Sequence, residues 1–386
     1  MIGNVEYEFK YYSANGEYLF SLTDNHYGAE FWVAEAEVGS LIIDLPIAVG
    51  NEIVDYLELD ATVEIYRSYN NVKTLMFGKR WFLVLWREKE DNYGQKSMRL
   101  LFYCCNNLIE RRIVNYPAGS NKCKIDNEHA DDAIKRILKQ NMGNLAPARR
   151  DWSAYIDIED NFSLAPKISI EEFAHVKIST VLENICTASM AQNNTYLTYN
   201  VGWQPETQKY VIATYVGHLG ADRGIKGQNT LYFTVADDET LGFGGLGYAS
   251  VAMDGTSRRT AIYCGGRDEG EKRIIVEVFD DDAISQSPFG LWESWQDARN
   301  LQTEDGVRKK ALEVLNDRKA KFAINGHMSG SFTKYFGAEF GWGDVVAFKF
   351  KNYLYDIHIN KVHFQINDNG SEDIKIYTRN LEDSYY

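Results

Sequence analysis

The stretch SQSPFGLWESW, residues Ser285–Trp295, places a proline turn, two tryptophans and a carboxylate in one short segment. Ser287 and Pro288 turn the chain, and Trp292 and Trp295 have a spacing that puts both on one side of a helix. The pattern predicts a structural corner, in which the chain leaves a strand, turns, and begins a helix with both tryptophans anchored in the core. Glu293 would then bond to nearby backbone or to a basic partner.

The same stretch admits two other functional interpretations. Aromatic faces bind sugars, and a carboxylic acid in an apolar pocket is the kind of proton donor that a glycoside hydrolase uses. Glu293, beside Trp292 and Trp295, has the most suggestive setting of the 55 aspartates and glutamates, which makes a cell-wall glycoside hydrolase one alternative. The 8 tryptophans and 25 tyrosines suggest another, a carbohydrate-binding receptor module.

Length and composition limit the class of protein. A chain of 386 residues exceeds the typical domain of about 50–250 residues, so we expect two to four domains. Aromatic residues make up 13% and favour β structure, since they fit a pleated, half-buried surface. The formal net charge of −14 argues against a sequence-independent grip on DNA, which needs a positive surface.

The cysteines and the N-terminus indicate the compartment. The 5 cysteines are odd in number and contain no C-x-x-C, so a disulfide scaffold is not expected and synthesis in a reducing compartment is. Residues 1–12 lack the basic and apolar regions of a signal peptide. No window reaches the roughly 18 apolar residues of a membrane-spanning helix. We therefore expect no membrane insertion.

Three units follow one another along the chain. Residues 1–118 contain short apolar or alternating runs separated by turn residues, a pattern typical of a β-barrel or sandwich. Residues 119–225 contain two predicted helices, NEHADDAIKRILKQNMG and, capped by Ser169, SIEEFAHVKISTVLENICTASMAQN, followed by a hairpin. Residues 226–386 read as β again, with a helix predicted over Val307–Phe322 and a hairpin turn at Asn369-Gly370. The fold class is α+β, mainly β.

No stretch predicts a catalytic, cofactor or metal site. GFGGLG at 242–247 fits a dinucleotide-binding pattern, but no helix of useful length follows it. EHADD at 128–132 is better explained by acidic residues at the start of a helix than by a metal. NDNGSED at 367–373 is oxygen-rich but reads as a solvated turn. We predict no cofactor and no enzyme activity.

The segment RRTAIYCGGRDEGEKRIIVEVFDDDAISQSPFGLWESWQDARN, followed by a helix with VLNDRKA and then by FGWGDVVAF, resembles the tail hub proteins of long-tailed bacteriophages. In that family a glycine-bearing strand pair precedes S-x-[FY]-G-x-x-E and D-x-R, and G-D-x-V opens the last barrel strands. The matching positions are Gly265, Gly266, Ser287, Phe289, Gly290, Glu293, Asp297, Arg299, Gly343, Asp344 and Val346. None of these positions is catalytic in the family. We expect a structural motif formed by Ser287, Phe289, Gly290, Trp292, Glu293, Asp297, Arg299, Gly343 and Asp344.

The resemblance implies a homotrimer with two tube-type β-barrels per chain. It places the barrels in 1–118 and 226–386, the helical and hairpin insert in 119–225, and a second helical insert at about 288–322. It further implies a distal tail or tube protein above the ring and a tip spike or fibre below it. Phage DNA would pass the central channel without specific binding. The chain would be a virion component made in the host bacterial cytoplasm, and its end at Tyr386 predicts no hydrolase extension.

Overall fold

The computed structural model describes residues 5–23, 26–92, 94–115, 123–173, 175–227, 229–235, 245–328, 332–350 and 353–380. In these ranges strands dominate, with helices concentrated in two inserts, so the mainly β, α+β class is confirmed. No helix within the described ranges is both long and apolar enough to cross a membrane.

The first strands have alternating burial, as expected for a sheet with one covered face. Their bounds are β1 Glu6–Tyr12, β2 Tyr18–Leu22, β3 Gly28–Ala34, β4 Ser40–Pro46, β5 Thr62–Tyr69, β6 Val72–Glu90 and β7 Lys96–Cys104, with helices α1 Ile47–Ile53 and α2 Asn107–Glu110. In β4, Leu41, Ile43 and Leu45 are fully buried while the residues between them are partly exposed. This alternation fixes which side of the sheet faces the core.

The first insert has its own hydrophobic core. Its elements are β8 Cys123–His129, α3 Ala130–Asn141, β9 Ile156–Ile158, β10 Lys167–Phe173, α4 Ile178–Asn193, β11 Leu197–Gln204 and β12 Lys209–Val216. Ile134, Ile137 and Leu138 of α3 are buried in the same cluster as residues of α4 and of the hairpin β11–β12. The helix and the hairpin predicted from the sequence are both present.

The predicted start of the second helix is wrong. Ser169 lies inside β10, which pairs antiparallel with β8, and the helix begins nine residues later at Ile178. The alternation of Ile168 and Ile170 satisfies a strand as well as a helix start. The segment forms a strand because β8, far away in the sequence, supplies the hydrogen-bonding partner.

The second insert is a three-stranded sheet covered on one face by a helix. After β13 Asp222–Arg223, β14 Tyr232–Thr234 and β15 Leu246–Asp254 come β16 Ala261–Gly265, β17 Ile275–Phe279, α5 Asp281–Ser285, β18 Glu293–Asp297 and α6 Glu304–Asp317. β16 lies in the centre, antiparallel to β17 and parallel to β18. The buried residues shared by the sheet and α6 are Ile262, Cys264, Val276, Val278, Val307, Ala311 and Leu315. We call β16, β17 and β18 the insert sheet.

The helix predicted over Val307–Phe322 is present but shifted, and the start of the helical insert expected at about 288–322 is not helical. Residues Glu293–Asp297 form β18, and the helix spans only Glu304–Asp317. The Thr303 side chain caps this helix by accepting a hydrogen bond from the Gly306 N–H at 3.1 Å. The i, i+3 spacing of Trp292 and Trp295 was taken for a helical face, but pairing with β16 makes the segment extended.

Strands from the two ends of the chain form one large sheet. The remaining strands are β19 Lys321–Met328, β20 Val345–Phe350, β21 Tyr353–Asn367 and β22 Glu372–Asn380. β21 pairs antiparallel with β3, which places Phe364 opposite Phe31. Among the described strands the main path is β15-β19-β22-β21-β3-β4-β7-β6-β5-β1-β2, and β13, β14 and β20 attach to β21 through β20. The expected hairpin turn at Asn369-Gly370 joins β21 to β22.

The two β-rich units also share a core. The rings of Phe31 and Phe364 stack with centroids 4.9 Å apart, and both side chains are fully buried. A buried ion pair reinforces the contact between distant segments, since Arg67 Nη2 lies 2.7 Å from Glu372 Oε1. The sheet thus runs across the predicted domain division at 118 and 226, and that division stays a prediction.

Candidate assembly surfaces

The corner at Ser287–Gly290 is held by a buried hydroxyl. Thr260 Oγ1 donates to the Gly290 carbonyl at 2.7 Å and accepts from the Trp292 N–H at 2.8 Å. The Ser287 carbonyl accepts from the Gly290 N–H at 2.9 Å, and its hydroxyl accepts from the Phe289 N–H at 3.1 Å. A Cβ at position 290 would lie 2.2 Å from the Ile284 carbonyl oxygen, so only glycine fits there. The loop therefore has one defined conformation.

The predicted burial of the two tryptophans is wrong. Trp292 is 45% exposed and Trp295 is 51% exposed. Along β18 the side chains alternate between the two faces of the insert sheet, and the partly covered ones are Ser294 and Gln296. Trp295 therefore points to the outer face of the sheet, the face opposite α6. Its indole lies across Gly265, where an added Cβ would come within 2.6 Å of the ring. The close approach of a surface tryptophan thus explains why glycine stands at this position.

Glu293 lies on the same outer face and not in an apolar pocket. Its Oε1 accepts a hydrogen bond from the exposed Tyr263 hydroxyl at 2.8 Å. This hydrogen bond, with a smaller effect of burial and of the carboxylate charge, raises the pKa of Tyr263. The geometry does not provide the enclosed proton donor on which the glycoside hydrolase interpretation depended.

Asp297 and Arg299, the D-x-R pair, form part of an exposed charge network. Arg299 Nε lies 3.2 Å from Asp297 Oδ2, and its Nη1 lies 3.2 Å from Glu269 Oε1. Arg273 also binds Asp297, and its guanidinium lies 5.1 Å from the centroid of the Trp295 ring. Exposed ion pairs of this kind stabilise a fold by about 0–1 kcal/mol. Their position around Trp295 matters more for what the surface can contact.

Gly343 and Asp344 lie far from this surface and open strand β20. The carboxylate of Asp344 accepts from the Ala221 N–H at 2.6 Å and from the Gly341 N–H at 2.9 Å, and it lies 3.2 Å from Arg223 Nε. Gly343 has φ of +90°, a left-handed conformation that favours glycine. This pair fastens β13 to the start of β20, which is a structural role in the large sheet.

The outer face of the insert sheet and the corner next to it in the chain both expose aromatic residues. The rings of Tyr263 and Phe279 are 6.2 Å apart, and Tyr263 lies opposite Trp295 in the strand register. Phe289 at the tip of the corner is 85% exposed. Exposed apolar groups gathered on one surface are typical of a protein contact site. We call residues 287–292 the corner loop.

An aromatic cleft, which the sequence did not reveal, lies at the boundary between the large sheet and the first insert. It has a volume of about 460 Å³. Its aromatic walls are Phe82, Trp152, Tyr155, Trp203 and Tyr210. These residues come from three separate segments, so no local pattern could have brought them together.

Three guanidinium groups lie in or beside this cleft. Arg80 lies in it, stacked 3.7 Å from the Trp203 ring centroid and paired with Glu64. Arg111, also in the lining, pairs with Asp60 at 2.7 Å. At the rim, Arg112 stacks on Trp152 with its guanidinium 3.7 Å from the ring centroid. The cleft therefore combines flat apolar walls with guanidinium groups, a combination common in protein interfaces.

The carboxylates of the EHADD motif have structural partners. Asp131 accepts from the N–H groups of Leu164 and Ala165, both at 3.0 Å, and Asp132 accepts from the Ser163 hydroxyl at 2.7 Å. Burial by itself would raise the pKa of Asp132, but the hydrogen bonds from Ser163 and Phe162 outweigh it and lower the pKa. Among the described residues no group of three or more His, Cys, Asp or Glu could hold a metal ion. The first half of GFGGLG, residues 242–244, lies outside the described residues.

Comparison with solved structures shows the fold over nearly the whole chain. The tail protein from Neisseria meningitidis MC58 matches with a TM-score of 0.59 and 9% identity, covering 97% of this chain and 96% of that one. The 43 kDa tail protein of prophage MuSo2 from Shewanella oneidensis matches with a TM-score of 0.58 and 10% identity, covering 98% and 99%. A chain of the lidded Francisella PdpA-VgrG complex matches with a TM-score of 0.53 and 11% identity, covering 100% of this chain and 54% of that one.

These matches establish the fold, which is that of phage tail proteins. No protein-family model and no curated protein sequence matches the chain. The resemblance to tail hub proteins that the sequence indicated is thus confirmed at the level of the fold.

Proposed function

We propose that this chain is a structural subunit of a phage tail hub, assembled as a homotrimer that joins the tail tube to the tip. The observation that carries the proposal is the match to two tail proteins along more than 95% of both chains. A match of this extent includes both β-rich units and both inserts. It supports a structural role in the virion, with no catalytic function.

The continuous sheet supports a ring-forming subunit. Each chain contributes two β-rich units that are locked together through β3 and β21, so three chains would place six such units around an axis. In this proposal each unit contributes a tube-type β-barrel. The first partner is a distal tail or tube protein on one side of the ring, and the second is a spike or fibre on the other.

The charge of the chain suits a channel for DNA. Three chains would carry 3 × −14 = −42 formal charges. A negative lumen repels the phosphate backbone, so DNA would pass without binding. The subunit would be made in the host cytoplasm and built into the virion without inserting into a membrane.

The test is the mass of the assembled particle. Light scattering after gel filtration should give three times the chain mass of 44.2 kDa, and negative-stain images of that peak should show a ring with a central hole. A gel-shift assay with duplex DNA at low salt should show no retention. A chain that stays monomeric at every soluble concentration, or a closed dimer without a hole, contradicts the proposal.

A further inference from the structure

We propose that the corner loop of one copy inserts Phe289 into the aromatic cleft of a second copy, which makes this pair of surfaces a subunit contact of the trimer. The inference rests on the proposed function, because it assigns a contact within that assembly. It commits to a second copy of this chain as the partner. The two surfaces belong to different parts of the fold, so each copy can offer both at once.

The corner loop has the properties of an anchor. Phe289 projects into solvent from a loop whose backbone is fixed by Thr260 and by the Ser287 hydroxyl. The Trp292 indole N–H donates to the Phe289 carbonyl at 3.1 Å and further orders the tip. A loop that is already ordered loses little conformational entropy when it binds. Aromatic side chains, phenylalanine among them, are enriched at protein interfaces.

The cleft has the size and lining to receive such an anchor. Its volume of about 460 Å³ lies within the roughly 300–1,000 Å³ of pockets that bind small organic groups. One wall is a pair of rings, Phe82 and Tyr210, with centroids 5.6 Å apart. Trp152 and the exposed Tyr155 flank its mouth. A phenylalanine side chain therefore has both space and aromatic neighbours there.

Charge complementarity selects a second copy as the occupant. Next to the corner loop, Asp281 and Asp282 in the first turn of α5 are exposed, and neither forms an ion pair with a described residue. Beside the cleft, Arg112 stacks on the lining residue Trp152, and the charge of Arg150 acts on Arg112. We call these two arginines the positive rim. Neither has a carboxylate partner among the described residues, and the Arg150 guanidinium donates to oxygens of Ile113 and Asn141. In a chain of net charge −14, this uncompensated positive rim is matched by the acidic flank of the corner loop.

Neighbouring positive charge makes the rim sensitive to an acidic partner. Burial, and after it the positive charge of Arg150, lowers the pKa of Arg112. An incoming aspartate relieves this repulsion. Because the loop and the cleft are different surfaces, the contact is heterologous, and a heterologous contact forms a trimeric ring when it relates successive copies by one third of a turn.

The first test removes the anchor. Phe289→Ser should leave the melting temperature of the isolated chain unchanged, since the side chain is exposed, but raise the trimer dissociation constant at least about 30-fold. Leu164→Ser is the matched control, because Leu164 is 66% exposed and lies in the first insert away from both surfaces. It should assemble like the wild type.

The second test mixes two defective variants. Tyr155→Glu places a negative charge at the mouth of the cleft and should also block assembly. In a mixture, the Tyr155→Glu chain still has an intact corner loop and the Phe289→Ser chain still has an intact cleft. These two surfaces can form one contact, so light scattering should detect a one-to-one dimer. The dimer should not grow to a ring, because its remaining loop and cleft are both defective. Asp282→Arg should weaken assembly, and combining it with Arg112→Glu should restore it.

The outcomes separate this inference from the hub proposal. A wild-type trimer that survives Phe289→Ser with an unchanged dissociation constant overturns the inference and leaves the hub proposal standing. A mixture that gives no dimer contradicts the pairing of loop and cleft. A wild-type chain that never assembles contradicts both proposals.

Discussion

The large sheet and the insert sheet place the same residue types in opposite environments. In the large sheet, Phe31 and Phe364 stack at 4.9 Å and are fully buried. In the insert sheet, Phe279 and Trp295 alternate outward and are 42% and 51% exposed. The large sheet covers its aromatic residues with strands from both ends of the chain, whereas the insert sheet has one helix, α6, on one face. Aromatic content therefore marks the core in one region and a contact surface in the other.

The largest effect is expected from a substitution in the core of the large sheet. Phe364→Ala should lower the free energy of unfolding by about 3–5 kcal/mol, because it leaves a cavity at the junction of β3 and β21. Trp295→Ala should change it by only about 0.5 kcal/mol, as for other surface sites. Urea denaturation of the two variants measures the difference. Equal losses would show that the outer face of the insert sheet is covered within the single chain.

An intermediate effect is expected at the corner of the insert sheet. Gly290→Ala should cost about 1–3 kcal/mol, because the new methyl group meets the Ile284 carbonyl and forces the backbone to shift. Gly255→Ala is the control, since its nearest neighbour atom, Arg258 Cβ, would lie 4.0 Å away. Thermal melting of both variants is the measurement. If Gly290→Ala melts like the control, the corner loop is not the rigid anchor described above.

The smallest effect concerns the ion pairs of the two regions. Arg299→Ala should change the free energy of unfolding by less than about 1 kcal/mol, and added salt should remove even that change. Arg67→Met, which strips the buried Glu372 of its partner, should cause a much larger and salt-insensitive loss. Urea titrations at low and high salt compare the two. A large loss for Arg299→Ala would mean that the charges around Trp295 support the fold and not a contact.

Local patterns predicted much of the fold and little of the candidate site. The strand pair Ala261–Gly265 and Ile275–Phe279, the hairpin β11–β12 and the turn at Asn369-Gly370 follow from alternation and turn residues over short distances. The corner at Ser287–Gly290 was expected, but its tryptophans were expected in the core. The exposure of Trp295 depends on which side of β18 faces α6, and α6 begins only at Glu304, beyond the stretch Ser285–Trp295.

The sequence by itself determined the strand-rich composition, the order of the inserts, the acidic charge and the residues of the corner loop. Only the tertiary structure decided that β3 and β21 join the two ends of the chain into one sheet, and that Phe82, Trp152 and Tyr210 meet in one cleft. The physical reason is that propensity, turn chemistry and amphipathic period act over a few residues. Burial and strand pairing depend on partners tens to hundreds of residues away, which is why an exposed Trp295 and a buried Phe364 look alike in the sequence.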